Sequence, residues 1–260
     1  MELKQTYKNW PCYYKDLITG LLFWSVIMPD ISIVRHESVF DANKHKDQKF
    51  TIIGAGATGS RVFAGLVDFG VTNIDVYDFD IVESHNLANQ IYFNSHIGMP
   101  KVDALASYYK TKTGQNPPDT MRFFNEKVTD TFGEPFSILF LLTDTMESRK
   151  NISSAFIDSI NTSSIGPRYV IETRMRSAYG ELYFFDPWIK AETEKWTSTL
   201  FGDDDYPDEV SPCGTTISVG STASLIASSV VWEAINHVND ITHIPQNKTL
   251  FCTPLGCIAA

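Results

Sequence analysis

The sequence predicts a doubly wound α/β fold with a mostly parallel sheet, an N-terminal preface and an antiparallel C-terminal extension. Three observations carry that prediction. A short apolar strand, Phe50 to Ile53, runs into the glycine-rich turn Gly54-Ala55-Gly56-Ala57-Thr58-Gly59 and then into a helix. Strand and helix patterns alternate from there to about Ile160, as they do when helices cover both faces of a parallel sheet. After Gly166 the pattern turns to paired strands, Tyr169 to Thr173 and Gly180 to Phe185.

Residues 1–48 read as the preface. Tyr7 to Tyr14 is aromatic, and the apolar run Ile18 to Met28 is expected to pack on the domain behind it. That run is short of the roughly 20 residues that span a bilayer, and it lacks the basic lead-in of a signal peptide. The expectation is a cytoplasmic protein with no membrane association. The main domain covers 49–240. Its first helix, Ser60 to Phe69, carries Val62, Phe63, Leu66 and Val67 on one face, the spacing of a buried helical stripe. Asn73 to Tyr77 is the next strand. Lys101 to Lys112 is helical, with Val102, Leu105, Ala106 and Tyr109 in register. Ser137 to Leu142 is a buried strand and Met146 to Ile160 a helix. Ala191 to Ser211 reads as a polar, acidic connection and Ile217 to His237 as an apolar helix. Residues 241–260 form a tail.

The chain has 260 residues and is 43% hydrophobic, enough for one large core. Its net charge of −10 excludes a basic nucleic-acid footprint. Phosphates can still be held locally, at a helix N-terminus with one or two cations. The four cysteines, Cys12, Cys213, Cys252 and Cys257, form no C-x-x-C pair. They read as reduced thiols and not as a disulfide framework.

Gly54 to Gly59 is a G-x-G-x-x-G turn. The first glycine permits the tight turn, the second lets backbone approach a phosphate, and the third lets helix pack on strand. This makes the domain Rossmann-like. Asp78 ends the second strand, where a carboxylate can accept hydrogen bonds from ribose hydroxyls. On these residues alone a NAD(P)-dependent oxidoreductase remains open.

The next residues separate the readings. Asp78-Phe79-Asp80-Ile81-Val82-Glu83-Ser84-His85-Asn86-Leu87-Ala88-Asn89-Gln90 resembles the D-x-D-x-V-x-x-S/H-N-L-x-R-Q segment of the ThiF/MoeB/HesA family, which includes the ubiquitin-activating enzymes. Gly98-Met99-Pro100-Lys101 resembles its G-x-x-K segment, and Thr143 to Arg149 its D-x-x-x-x-R segment. The likeness runs from about Phe50 to Arg149, and more loosely to about Asn236. It implies an ATP-dependent adenylyltransferase that activates a carboxylate, the C-terminus of a ubiquitin-like or sulfur-carrier protein, as an acyl adenylate. It implies ATP and Mg²⁺ as cofactors and a homodimer as the assembly. Gly54, Gly56, Gly59, Asp78, Asp80, Asn86, Gln90 and Lys101 would bind the nucleotide, with Lys101 on the phosphates. Asp144 would hold Mg²⁺ or face the reacting phosphate, and it also stands where it could cap the Met146 helix. Arg149 would brace its loop through a salt bridge.

Adenylation by a carboxylate needs cations and amide donors, because charge builds on the phosphate oxygens. It needs no general base. Against that requirement, the family's arginine position in N-L-x-R-Q is here Asn89, and an amide lacks a guanidinium's charge and its fork of donors. Arg61 and Arg35 are the cations that could compensate, Arg35 by entering the site of a partner subunit, with Arg174 and Arg176 behind them. The structural zinc of many relatives is not expected, since its two C-x-x-C pairs are missing. Cys213 precedes the long helix, where a thiolate is favoured. It is the one candidate nucleophile for a thioester, although a packed thiol is the expectation. Asn89 also supports a non-catalytic homologue that binds nucleotide or a ubiquitin-like protein. Activation of a tRNA-modification carboxylate suits the acidic chain poorly.

Overall fold

Phe50–Ile53 form strand β1, and all four residues are buried. Their side chains alternate between the two faces, so Phe50 and Ile52 join one hydrophobic cluster and Ile53 the other. A computed structural model describes residues 32–129, 137–202 and 217–240, with the backbone of 247–253 and 256–259. Within it β1 lies at the centre of a wound sheet. Helix α1 (Ala57–Asp68) follows the glycine turn, then β2 (Ile74–Tyr77), two 3-10 turns at Ser84–Ala88 and Asn94–His96, and α2 (Lys101–Thr113). β3 (Met121–Phe124), β4 (Ile138–Leu141), α3 (Met146–Ser163), β5 (Tyr169–Met175) and β6 (Tyr179–Phe185) come next. Helices α4 (Lys190–Thr197) and α5 (Gly220–Val238) precede β7 (Asn247–Thr253) and β8 (Gly256–Ala259).

The sheet order is β3-β2-β1-β4-β5-β6-β7-β8. β3 to β5 are parallel through β2, β1 and β4, and β5 to β8 pair antiparallel. The direction of winding reverses between β1 and β4, and a crevice therefore opens at their carboxyl ends. Val62, Phe63 and Leu66 of α1, Val102 and Leu105 of α2, and Ile226 and Val230 of α5 pack one face. Ile152 and Phe156 of α3 and Trp196 of α4 pack the other.

Helix α1 starts three residues before the expected Ser60, at Ala57, because the turn's last residues already have helical backbone. The expected connection after Ala191 contains a helix, α4, whose sequence is polar apart from Ala191 and Trp196; that indole is 2% exposed and anchors the helix. β3 went unrecognised because Met121-Arg122-Phe123-Phe124 mixes a charge into an edge strand. The segment set apart as a tail contains β7 and β8, which prolong the sheet beyond β6. The described part of the preface packs beside the end of α1, where His36 and Phe40 lie 5.3 and 6.0 Å from the Phe69 ring. Asn239 Nδ2 donates to Val39 O at 2.7 Å. Among the described residues no helix is long and apolar enough to cross a membrane, and Ile18 to Met28 lies outside them.

Candidate functional site

A cavity of about 1240 Å³ opens over the carboxyl ends of β1, β4 and β5. Its first wall is the glycine turn. Gly54 has φ +98°, and a methyl there would lie 2.5 Å from Leu142 O. A methyl on Gly59 would overlap the Gly54 carbonyl, whereas Gly56 meets nothing and faces the cavity. Each glycine thus has its own reason, and Gly56 is the one that leaves backbone open to a ligand.

Asp78, at the end of β2, does not line the cavity. Its Oδ2 accepts the Ala55 N–H at 2.6 Å and its Oδ1 the Asp80 N–H at 2.8 Å. Tyr92 Oη donates to Ala55 O at 2.7 Å and fixes the same turn from the other side. Burial pushes the Asp78 carboxyl above the usual range, while Lys101 and the two backbone donors pull it back. Asp78 is therefore a brace for the glycine turn.

Lys101 opens α2 and lines the cavity. Gly98, with φ +88°, turns the chain so that the Lys101 N–H donates to Asp80 O at 2.9 Å. The Lys101 Nζ lies 2.6 Å from Asp80 Oδ2 and 3.9 Å from Asp78 Oδ1. Asn86 caps its 3-10 turn by accepting the Glu83 N–H at 2.8 Å. It is 7% exposed and still reaches the cavity wall, so the turn-forming role and contact with a ligand coexist. Gln90 lines the same wall, and its Oε1 is buried without a partner.

Asp144 stands at the carboxyl end of β4, exposed on the cavity wall. The cap of α3 is its neighbour Thr145, whose Oγ1 accepts the Ser148 N–H at 3.1 Å. Asp144 is therefore not the cap, and its carboxylate keeps its acceptors for the cavity. Arg149 forms the expected brace: Nε donates to Glu172 Oε1 at 2.8 Å and Nη2 to Thr143 O and Thr173 O. Glu172 is fully buried and also takes Arg174 Nε at 3.1 Å and Trp196 Nε1 at 3.2 Å. Sequence reasoning passed over Glu172 and Tyr92. A lone carboxylate inside the apolar run of β5 was the available signal for the first.

The far half of the cavity is floored by the β5–β6 hairpin. Arg174 lies 4.3 Å over the Tyr183 ring and donates to Thr199 O and Oγ1 at 2.9 and 2.8 Å. Its donors are thus committed to structure, and Arg176 lines the same half. Asn89 Nδ2 donates to Ser218 O at 3.3 Å, and Arg61 Nη2 donates to Asn89 O at 3.4 Å from behind the wall. Arg35 is exposed in the turn of residues 34–39 and does not line its own chain's cavity. Cys213 lies outside the described residues. Among the described residues no three His, Cys, Asp or Glu side chains converge as a metal cage.

Comparison with known proteins gives one consistent set. The model of the ThiF family matches residues 31–255. The NEDD8-activating enzyme E1 catalytic subunit of Dictyostelium discoideum is 28% identical over 122 residues, which are 46% of this chain and 27% of that protein. Ubiquitin-like modifier-activating enzyme 5 of Drosophila persimilis is 27% identical over 138 residues, 47% of this chain and 35% of that one. The chain thus spans between a quarter and just over a third of these relatives. Among solved structures, PaaA superposes with a TM-score of 0.60 at 16% identity, covering 94% of this chain and 77% of that one. Escherichia coli MccB with AMPCPP and MccA gives 0.60 at 12%, covering 84% and 65%. At those identities the structures speak for the fold.

Proposed function

The chain belongs to the ThiF family, and on that premise we propose that its cleft binds ATP and transfers the adenylyl group to a carboxylate. Pyrophosphate leaves. The carboxylate is the C-terminus of a ubiquitin-like or sulfur-carrier protein, and the enzyme works as a cytoplasmic homodimer with composite sites.

The observation that carries the reading is the pairing of Lys101 and Asp144 on the wall of one cavity, with Gly56 open between the β1 and β4 ends. The N-terminal amides of α1 suit a phosphate, and the Lys101 ammonium adds a point charge to the start of α2. Asp144 would hold Mg²⁺, which commonly takes one or two carboxylates with phosphate oxygens. The metal would neutralise charge on the leaving pyrophosphate. The incoming carboxylate is already a nucleophile, so the site has no need of a base. It needs only to hold carboxylate and α-phosphate in line and to exclude competing water. The β5–β6 floor, set by Arg174 and Tyr183, is the side from which an extended chain end would enter.

An oxidoreductase reading finds less support, since both Asp78 oxygens already accept backbone N–H groups and Asp78 is off the cavity wall. The second reading is a homologue that binds nucleotide without chemistry, and Asn89 in the family's arginine position favours it. Thermal melting separates nucleotide classes. ATP with Mg²⁺ raises the melting temperature and NADH leaves it unchanged. Stabilisation by NADH alone would overturn the assignment.

A further inference from the structure

Arg61 stands in an uncompensated place. Its side chain lies behind the wall formed by residues 88–90, and its Nη2 makes a long, 3.4 Å bond to the Asn89 carbonyl. Its Nε is buried with no partner. Among the described residues Arg61 makes no ion pair. The two helix ends nearest to it are both positive. Arg61 is one turn into α1, and a methyl on Gly220, the first residue of α5, would come within 3.2 Å of Arg61 Nη2. A fixed positive charge held between two helix N-termini without an anion is unfavourable unless an anion arrives.

The adjoining wall points the same way. Asn89 turns one amide N–H to Ser218 O, and as a neutral side chain it offers the cavity no cation. Ser218 Oγ, on the same wall, is buried without a partner and can donate. Ala88, Asn89 and Ser218 line the same cavity as Gly56. A charge and an unused donor therefore lie together at the wall formed by Asn89 and Ser218.

We infer that Arg61 is the cation of a phosphate-binding subsite, formed with the start of α5 and Ser218, that holds the pyrophosphate portion of the nucleotide. The identity of the anion rests on the adenylation reading; the presence of an anion site does not. No bond is made or broken at Arg61. Its charge raises affinity in proportion to the phosphates present, so adenosine is indifferent to it.

Isothermal titration with pyrophosphate, ATP·Mg²⁺ and adenosine tests this on wild type, Arg61→Gln and Arg61→Lys. Arg61→Gln is expected to bind pyrophosphate and ATP on the order of tenfold more weakly, with adenosine unchanged. Arg61→Lys keeps the charge and loses less. Unchanged pyrophosphate affinity in Arg61→Gln, or an equal loss for adenosine, overturns the subsite. If Arg61→Gln does not fold, Arg61→Met removes the charge and keeps an apolar stem instead. It should weaken pyrophosphate and spare adenosine, and unchanged pyrophosphate affinity there would again overturn it. Arg61-dependent pyrophosphate binding in a protein with no adenylation activity leaves the subsite standing and removes the adenylation reading. Full activity with unchanged ATP affinity in Arg61→Gln does the reverse.

Discussion

The Lys101 ammonium is held 2.6 Å from the Asp80 carboxylate, with Lys101 8% and Asp80 48% exposed at the side chain. The pair fixes a nearly buried cation on the cavity wall while leaving its carboxylate half in solvent. The two residues should therefore act in opposite directions on an anionic ligand. Lys101→Met should weaken ATP binding and lower adenylation by about two orders of magnitude, with the melting temperature little changed. Asp80→Asn removes a negative charge from the site and should tighten ATP binding. Equal weakening by both variants would mean that the pair only supports the loop.

Glu172 should matter to stability more than to the ligand. It is fully buried beneath Arg149, Arg174 and the Trp196 indole. Glu172→Gln takes the counter-charge from Arg149 and leaves Arg174 only the more distant Glu181, 4.0 Å away, and breaking a buried pair from one side costs about 3–5 kcal/mol. Urea unfolding measures this directly. A loss below roughly 1 kcal/mol would show that the cluster is solvated and holds nothing in place.

His96 gives a pH dependence whose sign follows from its contacts. Nδ1 accepts the Phe93 N–H at 3.3 Å and Nε2 faces Ser107 Oγ at 3.2 Å, which suits a neutral ring protonated on Nε2. Burial lowers its pKa from the ordinary 6.5. The folded protein thus takes up this proton less readily than the unfolded chain. The stability is present in full above 6.5 and lost as pH falls through the lowered value. Melting temperatures between about pH 7.5 and 5 should fall in wild type and fall less in His96→Asn. An asparagine oxygen can take the Nδ1 role, as Asn86 does in the preceding turn. The same slope in both proteins would remove His96 from the account.

Arg35 is tested by mixing. It is exposed and off its own cavity wall, as a residue reaching into a partner would be. Arg35→Ala subunits combined with Lys101→Ala subunits should recover part of the activity, because each mixed dimer contains one intact composite site. Mixed dimers shown to form without any recovery would confine Arg35 to the surface.

The sequence made the wound half legible because strand burial and glycine geometry are local. Gly54, Gly56 and Gly59 could each be assigned a backbone reason before any fold was seen; the structure gives Gly54 its tight turn and Gly59 its close packing, and it leaves Gly56 open to the cavity. Arg149 could be read as a brace because its motif spacing places it one turn into a helix facing the β4 end. What stayed hidden depends on contacts distant in sequence. Helix α4 owes its place to one indole meeting Glu172, 24 residues earlier. Asp78 looked like a ribose acceptor, and only the folded turn brings the Ala55 N–H to its carboxylate. Asp144, read first as a ligand for Mg²⁺ or phosphate, could also have capped α3, yet Thr145 takes that second role because helical backbone begins at Met146.

ATP–pyrophosphate exchange bears most directly on the claim that this cleft adenylates a carboxylate. The assay uses Mg²⁺, radiolabelled pyrophosphate and a panel of ubiquitin-like and sulfur-carrier proteins. The account predicts exchange that requires a carrier with a free C-terminal carboxylate, that stops when Mg²⁺ is chelated, and that is lost in Lys101→Ala. Nucleotide binding with no exchange for any carrier, in wild type as in Lys101→Ala, would contradict it and leave a nucleotide-binding homologue in its place.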